Sequence, residues 1–532
     1  MSEIHNHAAH RETASTSTHA QEASHMSVSG GPAEDHVMAG VPTWMAMTTV
    51  GLIIVLSHLL LRRRSEGRRS ARVNLFRARL LPRLIRLSFF PALLQTGSLL
   101  LFTLITFAGL YGSQSSNIGT VLTWTWWWAL LIFVIVAFGK GFCSICPWEG
   151  LASLTTSLSL RSRRKRLGFE WRWPKWARNL YPALGLFVLF TSLELGWEAT
   201  NSPSMTAVMG ASMAGMAAFS ALVFRGRAFC RYVCPVGRIS GIYALFSPVE
   251  LRAKSADTCR SCATVDCVHG NHAATGCPTG LFPGVLSENT YCTMCTECIR
   301  ACPHDNLQIN ARAPGADLQE PGKRFRGDEA VLALVLLALT SFHGLTMTQT
   351  WSRSVGWLRV QTGWDTITVF TGLMATFIAT PLLLFVGTAH IARLLSGAWM
   401  ESRQIAKALA YAVIPVALFY HLAHNGMHFF MEGQNLIPAL SDPFGWGWDL
   451  FGTARRVYSP LLSPEAIWWI QVGLIITGHV YGVIVADRIG RQVFASSAGA
   501  VRGLTPFIIL TVLYSGMSIW LIAQPMVMRS GM

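Results

Sequence analysis

The chain is short of charge. Asp, Glu, Lys and Arg make up 13% of its 532 residues, against a hydrophobic share of 51%. That excludes the three or four soluble domains its length would otherwise suggest. Acid is scarcer than base, 27 residues against 43, but the resulting charge of +16 does not point to nucleic acid. The Lys and Arg sit in short loops on alternate sides of apolar spans, which is a membrane-topology signal. No apolar stretch precedes Thr43, and the first one is followed rather than preceded by arginines, so no signal peptide is expected. No outer segment is long enough for a soluble domain, and no output domain is visible, which argues against a redox-sensing regulator.

What is abundant is apolar sequence of spanning length. Ten segments of about 18–24 residues, near 43–61, 89–112, 119–138, 181–198, 205–224, 329–349, 367–390, 405–430, 467–487 and 503–524, match a hydrocarbon core about 30 Å thick. With the N-terminus outside, the five inner segments hold 37 of the 43 Lys and Arg, which orients the chain with both termini outside a bacterial inner membrane. The expected fold is an all-α polytopic membrane protein of about 10 transmembrane helices, with a small cytoplasmic α+β insert. Four regions follow: a tail over 1–42, a five-helix membrane domain over 43–224, the insert over 225–328 and a second five-helix membrane domain over 329–532. The tail is rich in Ser, Ala and His and reads as disordered. Its His5, His7, His10, His19, His25 and His36, with Met26 and Met38, form a tract of the kind that binds copper, nickel or zinc; a merely solvated tail is the plainer reading.

All 12 cysteines fall on the inner side, where thiols stay reduced and metal ligation outranks disulfides. Cys292, Cys295, Cys298 and Cys302-Pro303 have the C-x2-C-x2-C-x3-C-P spacing of a bacterial 4Fe–4S run. Cys259, Cys262, Cys267 and Cys277-Pro278 form a looser version. In two-cluster ferredoxins the fourth cysteine of each run ligates the other cluster. The expected sets are therefore Cys259, Cys262, Cys267 and Cys302 for one cluster, and Cys292, Cys295, Cys298 and Cys277 for the second. This makes 225–328 a two-cluster ferredoxin-like insert, stapled by its clusters more than by an apolar core. Two structural zinc sites are the alternative, although zinc needs only paired C-x2-C units. Arg260 and Arg300 read as cations beside the clusters.

Four more cysteines close spans three and five: Cys143 and Cys146-Pro147 in KGFCSICPWEG, and Cys230 and Cys234-Pro235 in RAFCRYVCPVG. Three readings stay open for them: a shared metal or cluster, redox-cycling thiols, or small apolar packing. Paired C-x3-C-P elements at helix ends, followed by a double ferredoxin run, resemble the NosR/NapH-type membrane polyferredoxins and the related CcoG-type accessory proteins. RAFCRYVCPVGRISGIYALFSP carries the second element closely, while the first departs as C-x2-C-P. The resemblance covers about residues 90–310, and the flavin-binding outer domain of the NosR branch has no counterpart here. It implies electron transfer between the cytoplasmic side or the quinone pool and a periplasmic metalloenzyme or cytochrome, such as a nitrous oxide or nitrate reductase-like system, or its maturation.

The last five spans carry histidines. His421, His424 and His428 share one face of span eight, His343 lies in span six, His479 in span nine and His390 at the inner end of span seven. Intramembrane ionisable residues default to function. His343, His421, His424, His428 and His479 are thus candidate ligands of a b-type haem, or of a quinone or second metal site, and hydrogen-bonded packing is the alternative. Gly344, Gly426, Gly478 and Gly482 beside them would let a flat ring approach a helix backbone. Glu194 and Glu198 could serve protons but read better as near-interface groups reaching water, and Trp446 and Trp448 read as interfacial anchors ahead of a docking surface. The expected function is one-electron transfer through two 4Fe–4S clusters; copper or iron handling, using the His-rich tail and the paired cysteines, is the alternative.

Overall fold

The computed structural model describes residues 37–38, 41–62, 71–78, 80–87, 89–157, 169–320, 322–494 and 496–527. The histidines of the tail and the basic runs at 63–70 and 158–168 lie outside these. Numbering only the membrane helices, they are α1 (Thr43–Arg62), α2 (Phe89–Tyr111), α3 (Ala129–Phe138), α4 (Tyr181–Gly196), α5 (Pro203–Val223), α6 (Gly327–Thr346), α7 (Thr366–Ser396), α8 (Ser402–Glu432), α9 (Pro464–Val493) and α10 (Ser497–Ile522). A π-helical stretch, Val121–Trp128, leads into α3 and lengthens it to spanning size.

Among the described residues nine helices are long and apolar enough to cross a membrane; α4, at 16 residues, falls short. Strand β1 (Val37–Met38), just before α1, pairs antiparallel with β5 (Met526–Val527), just after α10. The Val41 amide also donates to the Ala523 carbonyl at 3.0 Å. The approach to α1 and the exit from α10 therefore lie side by side on one face of the helices, while α4 stays below spanning length. Residues 37–38 thus depart from the unstructured tail the sequence suggested, because the far end of the chain offers them a ladder.

The opposite face carries a three-stranded antiparallel sheet ordered β2 (Val73–Asn74), β4 (Leu307–Ala311), β3 (Val249–Ala253). Ala253 faces Leu307 in the register, so the sheet closes the chain just before Cys259 onto the chain just after Cys302. Beneath it Arg312, fully buried, pairs with Asp317 and with Glu250 at 3.0 Å. Its partners all lie within the cysteine-bearing segment, so this satisfied ionic group ties β3 to the chain that follows β4.

The centre of the bundle is α8, buried almost from end to end. It is wrapped by α3, α6, α7 and α9, and one apolar core runs through both helical halves. At Gly478 and Gly482 of α9 a Cβ would meet Phe419 Cβ at 2.6 Å and Val416 Cγ2 at 2.8 Å. Small residues here bring two helix backbones together. That replaces the expectation that these glycines admit a flat ring: at Gly344 and Gly426 too, the neighbours are Tyr420 and Phe133. Between α6 and α7 lies an amphipathic helix, Gln349–Thr362, which the hydropathy of the sequence left unmarked.

Candidate iron–sulfur centre

The two cysteine runs repeat one local design that their unequal spacings hide. Val265 (φ 50°) and Thr296 (φ 65°) are left-handed, and each is followed by an acid, then a cysteine, opening the short helices Asp266–His269 and Glu297–Ala301. A β-branched residue at positive φ costs on the order of 1–3 kcal/mol and persists only where its surroundings dictate it. Asp266 accepts from Asn271 at 3.0 Å, and Glu297 from Arg300 at 2.8 Å and Thr275 at 3.0 Å.

Thiols of each expected set lie in one another's neighbourhood. Burial pushes the Cys267 thiol up to about 11, and the next influences on it are Cys302, Cys259 and Cys262. Burial likewise pushes Cys295 up to about 12, with Cys292 and Cys277 as its cysteine neighbours. Cys298 is raised by burial and then by Cys295, Cys292, Cys277 and, last, Cys267, so the two sets adjoin. Asn306 ties the ends of the first set: its side-chain amide donates to Cys259 Sγ at 3.2 Å and its backbone amide to Cys302 Sγ at 3.4 Å. Leu281 N–H donates to Cys277 Sγ at 3.3 Å. Donors aimed at sulfur stabilise thiolate and tune the potential of a bound cluster.

The paired elements converge as well. Cys146 and Cys234 occupy the same station, each just before a helix that begins with proline, Pro147–Ser157 and Pro235–Tyr243. Proline fits the first helical position because no amide is needed there. The Gly237 N–H donates to Cys234 Sγ at 3.3 Å. Cys230 Sγ donates to Glu149 Oε2 at 3.4 Å, and Arg227 holds Glu149 Oε1 at 2.8 Å. Burial raises Cys230, followed by Glu149 and then Cys234, Cys146 and Cys143, so four thiols share one neighbourhood. Gln95 and Ser98 of α2 donate to the carbonyls of Ser144 and Ile145, bracing the turn between Cys143 and Cys146.

A cavity of about 800 Å³ joins this quartet to the second run, lined by all four thiols and by Cys277 and Cys295. Lys140, on its wall, and Arg238 are each 2% exposed. Arg238 Nε and Nη1 find no acceptor among the described residues, while its guanidinium lies 4.8 Å over the Tyr291 ring. Buried cations beside four thiols need a counter-charge. A cube carried on thiolates, being anionic, supplies one, so these residues fit such a group. Sequence reading missed Lys140, Arg238, Glu149 and Asn306, and the arginines it chose are otherwise engaged. Arg260 pairs with Asp257 in solvent, and Arg300 with Glu297.

Below Cys146 and Pro147 a second, apolar cavity of about 340 Å³ reaches into the membrane domain between Trp124, Trp127, Trp148 and Thr206. Glu194 lines it and is 7% exposed, so it does not reach water as expected; Glu198 does. The short helix α4 turns Glu194 inward, against the bundle.

Of the histidines, His343, His424 and His428 come together. His479 does not join them: its two ring nitrogens lie 2.7 Å from Ser57 Oγ and 2.9 Å from Ser515 Oγ, tying α9 to α1 and α10. His421 turns to Tyr243, with Nδ1 3.3 Å from the phenol oxygen. His390 lies 3.3 Å from Ser402 Oγ. Trp446 stacks on Phe444 at 4.5 Å, half-exposed at the outer face.

Residues 120–166 and 206–251 match the model of a 4Fe–4S binding domain, and these are the stretches that carry the paired cysteines. The chain is also 26% identical over 215 residues to YccM of Escherichia coli (strain K12), a protein named as an electron transport protein. The alignment takes in 35% of this chain and 56% of YccM, so the chain spans about half the length of that relative. No solved structure matches. Fold and matches together define an iron–sulfur-binding, all-α polytopic membrane protein.

Proposed function

We propose that the chain is a membrane electron carrier in which the twelve cysteines hold three iron–sulfur centres in series at one face of the bundle. The observation that carries this is the cavity shared by the paired cysteines and by Cys277 and Cys295. A cube, when bound, supplies a one-electron store with little geometric change. The chain's own residues would do the rest. Lys140 and Arg238 supply positive charge, the Asn306, Gly237 and Leu281 amides donate to sulfur, and the sheet β2–β4–β3 keeps the sites against the helices. The apolar cavity under Cys146 fits a quinone headgroup, with Glu194 as the group that holds or yields its proton. The steep bias of basic residues supports a cytoplasmic position for the cysteine face. The resemblance to NosR/NapH-type proteins supports a periplasmic metalloenzyme or cytochrome as the partner.

The test is the iron content of anaerobically purified protein and of a Cys143→Ser/Cys230→Ser variant. We expect about twelve irons per chain in the first, four for each of three cubes, and about four fewer in the second. Eight in both would confine the clusters to the two runs. Zinc, or no metal, would end the electron-transfer reading.

A further inference from the structure

We propose that His343 of α6 and His424 and His428 of α8 form a binding site for one first-row transition-metal ion, near the membrane face opposite the cysteines. This goes beyond the electron-transfer reading and does not depend on it. Each of the three side chains offers a ring nitrogen, and these atoms all lie within 4.8 Å of one another. An ion bound by imidazole at about 2.0–2.1 Å needs nitrogens roughly 3–3.5 Å apart, a small ring rotation away. His424 and His428 are 4% and 3% exposed, and His428 Nε2 has no partner among the described residues. Its other nitrogen, Nδ1, faces the Glu432 carboxylate at 3.4 Å. That is the outer-shell contact that fixes the tautomer of a ligating histidine and leaves Nε2 to the metal.

Three neutral imidazoles suit zinc, copper, iron or nickel rather than magnesium or calcium. The arrangement fits an ion better than a haem. A macrocycle has to pass between its two axial rings, whereas the His343 and His424 rings are in contact, centroids 4.6 Å apart, with His428 5.0 Å from His424. Access is open on geometry: His343 is only partly buried, three residues from the end of α6, and His428 is four residues from the end of α8. At 1.5 Å per residue the site lies about 5–6 Å below the helix ends. The six tail histidines precede β1, which is anchored on the same face.

The test loads the full-length protein with Co²⁺ alone, passes it over a chelating resin and measures retained cobalt and its ligand-field absorption. One equivalent should stay with the wild type and with a variant whose six tail histidines are alanine. His424→Ala and His428→Ala should each lower retention at least tenfold, and Glu432→Gln should weaken binding about tenfold or more. Circular dichroism reports whether the fold survives; if the spectrum changes, His343→Gln, at the partly exposed ligand, should give the same cobalt loss with the spectrum intact. Cobalt retained in all three histidine variants, or lost with the tail histidines instead, would overturn the proposal. So would a bound haem in the wild type whose reduced bands vanish in His428→Ala.

Discussion

Asn306 is the side chain on which the first cysteine set turns, and its replacement gives a graded test. Its amide nitrogen donates to the Ser255 carbonyl at 2.7 Å and to Cys259 Sγ at 3.2 Å, and its oxygen accepts from the Ser255 N–H at 3.0 Å. The side chain is 6% exposed. Asn306→Leu keeps the volume and removes all three bonds, at about 1 kcal/mol each, so about 3 kcal/mol in total. That corresponds to roughly 100-fold in an equilibrium constant. Asn306→Asp keeps only the acceptor for Ser255 and sets a carboxylate beside two thiolates, so it should be worse at the metal site while being closer to asparagine in shape. Chelator titration of anaerobic protein, followed by iron release and by low-temperature paramagnetic spectra, separates the sites. Iron held by Cys259, Cys262, Cys267 and Cys302 should become about 100-fold easier to extract in the leucine variant and easier still in the aspartate variant, while the second run keeps its signal. If Asn306→Asp held all its iron at the wild-type chelator concentration, the role given to the amide donor would be wrong.

Other expectations follow from the same geometry. Glu149→Gln removes the negative charge that, after burial, most raises the Cys230 thiol; in iron-stripped protein at pH 8, Cys230 should alkylate faster, because more of it is thiolate. Arg227→Met leaves Glu149 without its 2.8 Å partner at a mostly buried position, and should lower stability by about 2 kcal/mol, read as a fall in Tm. Gly241→Ala drives a Cβ into the Thr290 carbonyl, so the helix bearing Cys234 should separate from the second run, with loss of iron in proportion. Val457, 99% exposed on the face of the termini, and Val285, 76% exposed on the cysteine face, mark the two sides. An impermeant maleimide should label Val457→Cys in intact cells and Val285→Cys only after lysis; the reverse would invert the orientation.

The amino-acid sequence by itself determined the helical, membrane-spanning character of the chain, the uneven distribution of its basic residues and the spacing of the cysteines within each run. Each of these is written in local pattern: helices of spanning length, loop charge, and cysteines a few residues apart. It could not say that Cys143, Cys146, Cys230 and Cys234 share one neighbourhood, since some 84 positions separate the elements and only the packing of the helix Pro147–Ser157 against α5 brings them together. Nor could it sort five histidines on three helices. His479 and His424 look alike in sequence, but one is tied between two serines and the other faces two imidazoles, because rotation of a helix about its axis is set by its neighbours. The buried cations Lys140 and Arg238 are of the same kind: as letters they are loop charge, and only burial makes them partners for a negative centre.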